Sequence, residues 1–279
     1  MSGGRTDPGP GESPTGAGGP VASGAAAARR RARLGLETLG VLAVCLGRSA
    51  VYAVLSILDK LTLGPALGEQ TTTINGSTTP DRPWLDLCYK LADYLFLAAP
   101  VVIVLYLLTA VRRPGHDPWR AIGLDRTRPG RDVGAGVALA AAIGIPGLAF
   151  YLFARRLGIN TDVAAGNLAE HVWTIPVYVL AAFANGLLEE TVMVAYLLTR
   201  WRQCGWRPGA AVAVSALLRG SYHLYQGFGG LLGNAVMGAA CCLYWTRARR
   251  LWPLIVAHTL LDVFSFVGYA LLHGVVGWL

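Results

Sequence analysis

Long apolar blocks, separated by short connections crowded with arginine, run through this chain from about residue 36 onward. A membrane-crossing helix needs about 20 consecutive, mostly apolar residues. Seven stretches have that character: 36–58, 86–110, 132–154, 173–199, 209–226, 229–246 and 251–274. The fifth and sixth are short and nearly contiguous, so the pattern predicts six to eight crossings with seven as the central count. The expected fold class is all-α, a polytopic membrane helix bundle. Residues 1–28 break the pattern: they are rich in Gly, Pro, Ser and Ala with no apolar period, and are expected to form a disordered tail ahead of a membrane domain at 29–279. The basic cluster Arg29, Arg30, Arg31 and Arg33 leads straight into the first apolar block, which reads as a retained anchor rather than a cleaved signal.

Composition agrees with this pattern. Of 279 residues 54% are hydrophobic and 14% charged, against about 25% charged in soluble domains. A net charge of +8 would suit a nucleic-acid surface, but the positions of the charges argue otherwise. With a cytoplasmic N-terminus, 17 of the 24 basic residues fall on inside segments and 5 on the opposite side. That bias predicts orientation by the positive-inside rule and contact with anionic lipid in the cell membrane, and leaves no role for nucleic acid. Cys45, Cys88, Cys204, Cys241 and Cys242 form no CxxC pair and read as small apolar filler. The Asn75-Gly76-Ser77 sequon falls in an outer loop. Neither an internal repeat nor a matched pair of broken helices of the transporter type is evident.

Against so apolar a background the ionisable residues within spans stand out, since each costs on the order of 2.5–3.5 kcal/mol at mid-helix and is usually paired or functional. The fourth span holds Glu189 and Glu190, the fifth Arg219 and His223, the seventh His258 and Asp262; Arg48 and Asp93 occupy the first two. At about 1.5 Å per residue, Glu189, His223, His258 and Asp262 lie roughly 10–20 Å from the span ends, deep enough to meet. Arg219 and His223 are four residues apart, as are His258 and Asp262, so each pair is expected on one helix face. Glu189 and Glu190 project about 100° apart, so that one can face a cavity while the other braces it. Carboxylates and imidazoles so gathered can deprotonate water and stabilise an oxyanion, or hold a metal. Arg48 with Asp93 is expected to form an interhelical ion pair, Asn234 a helix-to-helix hydrogen bond, and residues 116–125 a short amphipathic surface helix.

The same residues resemble the CPBP intramembrane proteases, also described as type II CAAX prenyl endopeptidases or Abi-like proteins. Their motifs run EExxxR, FxxxH and HxxxN/D on separate membrane helices. Glu189-Glu190 match the first, His223 the second, and His258 with Asp262 the third. The likeness covers roughly 173–265, including RLWPLIVAH and an NAxxG segment at Asn234. Two positions depart: Val194 stands for the Arg of the first motif and Arg219 for the Phe of the second. Arg219 is expected to pair with a carboxylate of Glu189 or Glu190. The resemblance implies an intramembrane endopeptidase acting on a membrane-associated or CAAX-like peptide. Glu189 would be general base, His223 would position the water, His258 and Asp262 would stabilise the oxyanion, and Glu190 and Asn234 would support them. Zinc on Glu189, His223 and His258, or a metal-free glutamate mechanism, both fit that reading; the spacing is not that of an HExxH helix. The alternative is a pseudoprotease or self-immunity protein that binds without cleaving, and a small-solute transporter is a third class.

Overall fold

The computed structural model describes residues 20–110, 117–168 and 171–272, and it is almost wholly helical. A first long helix starts as α1 (Pro20–Leu42), passes through a π-helical turn at Ala43–Gly47, and continues as α2 (Arg48–Thr62). Then follow α3 (Pro83–Thr109), α4 (Pro118–Ile122), α5 (Pro129–Arg156), α6 (Thr174–Glu189), a π-helical segment (Glu190–Tyr196) running into α7 (Leu197–Gln203), α8 (Pro208–Ser221), α9 (Phe228–Ala248) and α10 (Trp252–Leu272). Proline opens α3, α4, α5 and α8, where its missing N–H costs nothing and its fixed φ suits the first turn. Among the described residues six helices are long and apolar enough to cross a membrane. That count lies at the lower end of the expected range.

The difference from seven is α8. Its 14 residues rise only about 21 Å. The apolar composition of 209–226 continues past the helix end, but the backbone does not. It turns through a 3₁₀ segment at Leu224–Gln226 and reaches Gly227, whose φ of 113° favours glycine. This turn is tied to the far end of α5: Thr161 N–H donates to Gln226 O at 2.9 Å, and Gly230 N–H to Asn160 Oδ1 at 2.7 Å. On the same side, β1 (Thr71–Asn75) and β2 (Asp162–Gly166) pair in parallel, Thr71 opposite Asp162. Asn75 of the sequon helps hold this small sheet, its amide donating to Ala165 O at 2.8 Å.

Burial is uneven. Val192, Val194, Ala195, Tyr196, Leu197 and Leu198 in the middle of the fourth span are completely enclosed. By contrast α3 and α5 turn Leu95, Phe96, Val102 and Ile145 outward, as suits helices whose solvent is lipid. Helix α10 packs on α5 and α6, and α9 on α8, around that central span.

Three expectations need correction. Residues 20–28 belong to α1, where the Ala25–Ala28 run carries high helix propensity, so the irregular tail cannot extend that far; residues 1–19 lie outside the described range. Arg48 and Asp93 do not pair: both are exposed, and Arg48 lies over the ring of Tyr52 on its own helix, 5.3 Å from the centroid. Similar depth says nothing about the direction in which a helix presents each residue. Asn234 bonds within α9, to Gly230 O at 2.9 Å, not to another helix.

The surface segment does form a helix, though only over Pro118–Ile122, with Asp117 capping Trp119 N–H at 2.9 Å. It is pinned to the α9–α10 connection: Ile122 O accepts from Trp245 Nε1 at 3.3 Å and Gly123 O from Leu251 N–H at 3.1 Å. Arg250 completes the junction. Its Nε donates to Asp132 Oδ1 at 3.1 Å, Nη2 to Asp132 Oδ2 and to Asp125 O, and Nη1 to Asp125 Oδ2. Asp125 is held down to about 2, first by the hydroxyl of Thr127 and further by its N–H and by Arg250. Hydrogen bonding to Asp132 raises Arg250 above the ordinary guanidinium range.

Candidate active site

Three helices deliver the polar cluster. Glu189 ends α6 and Glu190 opens the π-helical segment; Arg219 sits in the last turn of α8; His258 and Asp262 lie on α10. Arg219 Nη2 is the hub, 2.7 Å from Glu190 Oε1, 3.2 Å from Glu189 Oε2 and 2.8 Å from His258 Nδ1. The expected pairing with one carboxylate is thus formed with both. His258 Nδ1 is also 2.9 Å from Glu190 Oε1, and its Nε2 faces Asp262 Oδ1 at 3.8 Å, beyond hydrogen-bond range.

The adjacent glutamates are unequal, as their angular separation predicts. Glu190 is fully enclosed, whereas the Glu189 side chain retains 14% exposure. Glu189 Oε2 accepts a hydrogen bond from Tyr222 Oη at 2.8 Å in addition to the arginine contact, and Oε1 makes no hydrogen bond to a described residue. His223 is not on the helical face shared with Arg219, because α8 has ended two residues earlier. Its Nδ1 donates to the carbonyl of Arg219 at 2.9 Å, so a neutral His223 carries its lone pair on Nε2. It lies within electrostatic reach of Glu189.

Three contributors escaped the sequence reading. Tyr222 immediately precedes His223 and would pass for an ordinary core aromatic. Asn185 stands one turn before Glu189, a position that could have flagged it; its Nδ2 donates to Asp262 Oδ2 at 3.3 Å. Gly238 makes room for the arginine, since a Cβ there would lie 2.9 Å from Arg219 Cδ. Asn234, expected in support, directs its side-chain amide to Gly230 O on its own helix. The π-helical stretch from Glu190 to Tyr196, a feature that often marks functional sites, leaves no local signature in sequence.

The donor set does not fit a metal ion. Among the described residues no three His, Cys, Asp or Glu side chains gather closely enough to hold one. The place between Glu189, Glu190 and His258 that a cation would occupy is taken by a guanidinium nitrogen. The cluster instead offers a permanently charged donor, a tethered carboxylate with one open oxygen, and two imidazoles of different surroundings. Buried Arg219 Nε and Nη1 and Glu190 Oε2 have no hydrogen-bond partner among the described residues.

Residues 171–264 match the family model described as type II CAAX prenyl endopeptidase Rce1-like, a stretch that holds every residue of this cluster. No curated protein and no solved structure matches the chain. The helical bundle, the order of the polar motifs and the matched stretch together describe an integral membrane protein whose residues 171–264 are similar to the type II CAAX prenyl endopeptidases.

Proposed function

We propose that this protein hydrolyses a peptide bond of a membrane-associated or CAAX-like substrate with a water activated by Glu189, without a metal, in the cell membrane. The observation that carries the reading is the asymmetric anchoring of Glu189: one oxygen is fixed by Tyr222 and Arg219, and the other is left to accept a proton. A base held in one orientation presents a defined lone pair to the attacking water. His223 Nε2, with the ring fixed by its Nδ1–H bond, orients that water.

Arg219 Nη2 carries two protons, which serve Glu190 Oε1 and Glu189 Oε2. His258 Nδ1 is 2.9 Å from Glu190 Oε1, so a doubly protonated ring donates Nδ1–H to that carboxylate and keeps a second proton on Nε2. The Nε2–H, which makes no hydrogen bond to Asp262 at 3.8 Å, is then free to donate to the scissile carbonyl oxygen, with Asp262, held by Asn185, beside it. Glu190 neutralises Arg219 from behind.

The test is cleavage in lipid vesicles of quenched fluorescent peptides, with and without a farnesylated CAAX-type C-terminus, by the wild type and Glu189→Gln. Turnover by the wild type and its loss in the variant support the reading. Unchanged turnover in the variant refutes it. A second reading, peptide binding without cleavage, draws on Arg219 and Glu190 being almost completely enclosed. It requires a wild type that binds these peptides and cleaves none.

A further inference from the structure

At the end of the bundle where α1 begins and α7 ends, a groove of about 300 Å³ opens between the two helices. One wall is a stripe of α1, Arg31, Gly35, Thr38, Leu39 and Leu42; the other is Trp201, Cys204 and Trp206. The indoles of Trp201 and Trp206 stack at 4.9 Å and nearly parallel. Below, the walls are clamped by Glu37, which accepts from Arg200 Nε at 2.7 Å and from Tyr196 Oη at 3.0 Å. At the mouth, Arg31 lies alongside Gly205, exposed and without an acidic partner among the described residues. Trp201 stands 11 residues beyond Glu190, roughly 16 Å along the helix axis, so the groove is separate from the catalytic cluster.

We propose that this groove is a binding site for one anionic glycerophospholipid, its phosphate on Arg31 and an acyl chain along Leu39, Leu42 and the tryptophans. Three features select that occupant. The lining is mostly apolar. The one charged group lining it is a guanidinium, which pairs with phosphate and is attracted most to a headgroup whose negative charge no choline cation offsets. Tryptophan at a membrane boundary is suited to the zone where headgroup meets chain. An occupied groove would fix α1 against α7 at the point where Cys204 Sγ already approaches Arg31 O, 3.7 Å away.

The test uses the full chain in detergent, titrated with phosphatidylglycerol or phosphatidylcholine and followed by native mass spectrometry and thermal melting. One phosphatidylglycerol is expected to bind in preference to phosphatidylcholine and to raise the melting temperature. Arg31→Ala should weaken that binding about fivefold, the effect of roughly one basic residue at an anionic surface. Arg29→Ala removes an equal charge from the opposite face of α1, two residues or about 200° away, and should leave binding unchanged. Equal binding of the two lipids, or equal loss in both arginine variants, would overturn the proposal in favour of general surface charge. Protection by inorganic phosphate equal to that by phosphatidylglycerol would also overturn it, since the acyl groove would then contribute nothing.

Discussion

The molecule joins an arginine to two carboxylates in two places, and it does so differently. At the edge, Arg250 spends Nε, Nη1 and Nη2 on Asp125 and Asp132, a fork matched to its partners. In the interior, Arg219 directs Nη2 alone at Glu189, Glu190 and His258, while Nε and Nη1 have no hydrogen-bond partner among the described residues. The edge cluster is the arrangement expected of a clamp: it ties the α4–α5 connection and the first turn of α5 to the start of α10. The interior cluster gives up hydrogen bonds in a place where each is costly to lose. Incomplete satisfaction there is understandable if the groups must keep capacity for a substrate.

The contrast can be broken in graded ways. The largest expected effect is on turnover: Glu189→Gln should lower kcat by about 10³-fold or more with an unchanged melting temperature, because a general base is removed and no buried charge is orphaned. Next is Arg219→Met, which strands two carboxylates and should cost about 3–5 kcal/mol of stability. Adding Glu190→Gln to it should recover part of that loss in thermal melts, a non-additivity that separates pairing from cavity formation. Arg250→Met should destabilise by about 2–3 kcal/mol while leaving kcat and KM of the folded fraction unchanged; any drop in kcat would show that the clamp is coupled to the site.

Tyr222→Phe removes one hydrogen bond to Glu189 and should reduce kcat about tenfold, with KM unaltered. A rise in KM alone would instead mark Tyr222 as a substrate contact. The smallest effect concerns acid. Because Asp125 is held at about 2, below its ordinary 3.8, its contribution is fully present above about pH 4 and fades as pH falls toward 2. The gap in melting temperature between wild type and Asp125→Asn should therefore be constant above that window and close within it.

Glu189, Glu190, His258 and Asp262 were legible in the sequence because an ionised side chain in an apolar span is conspicuous, and because i, i+4 spacing survives folding. The pairing of Arg219 was legible for the same reason, since a lone buried guanidinium requires an acid. Tyr222 and Gly238 were not, because a tyrosine and a glycine in an apolar helix look alike whether they pack or position. The count of six sits at the lower end of the expected range because α8 is too short to be counted: hydropathy carries on through Tyr222 and Leu224 but backbone geometry ends the helix. The β1–β2 pair was missed because two five-residue strands far apart in sequence leave no periodic trace.

The π-helical segment from Glu190 to Tyr196 sits between the two working ends of the fourth span. A π turn holds about one residue more than an α turn, so whatever follows is swung by about 100° relative to an unbroken helix. Glu189 and Glu190 therefore meet α8 and α10 on one azimuth, while Arg200 and Trp201 meet α1 on another that a uniform α-helix could not also supply. The segment behaves as a fixed angular offset in a single rod. Deleting one residue from it, Thr191 for example, would let the segment close as regular α-helix with both ends still facing their partners, whereas the full-length segment in α geometry would turn the α7 end away from Glu37.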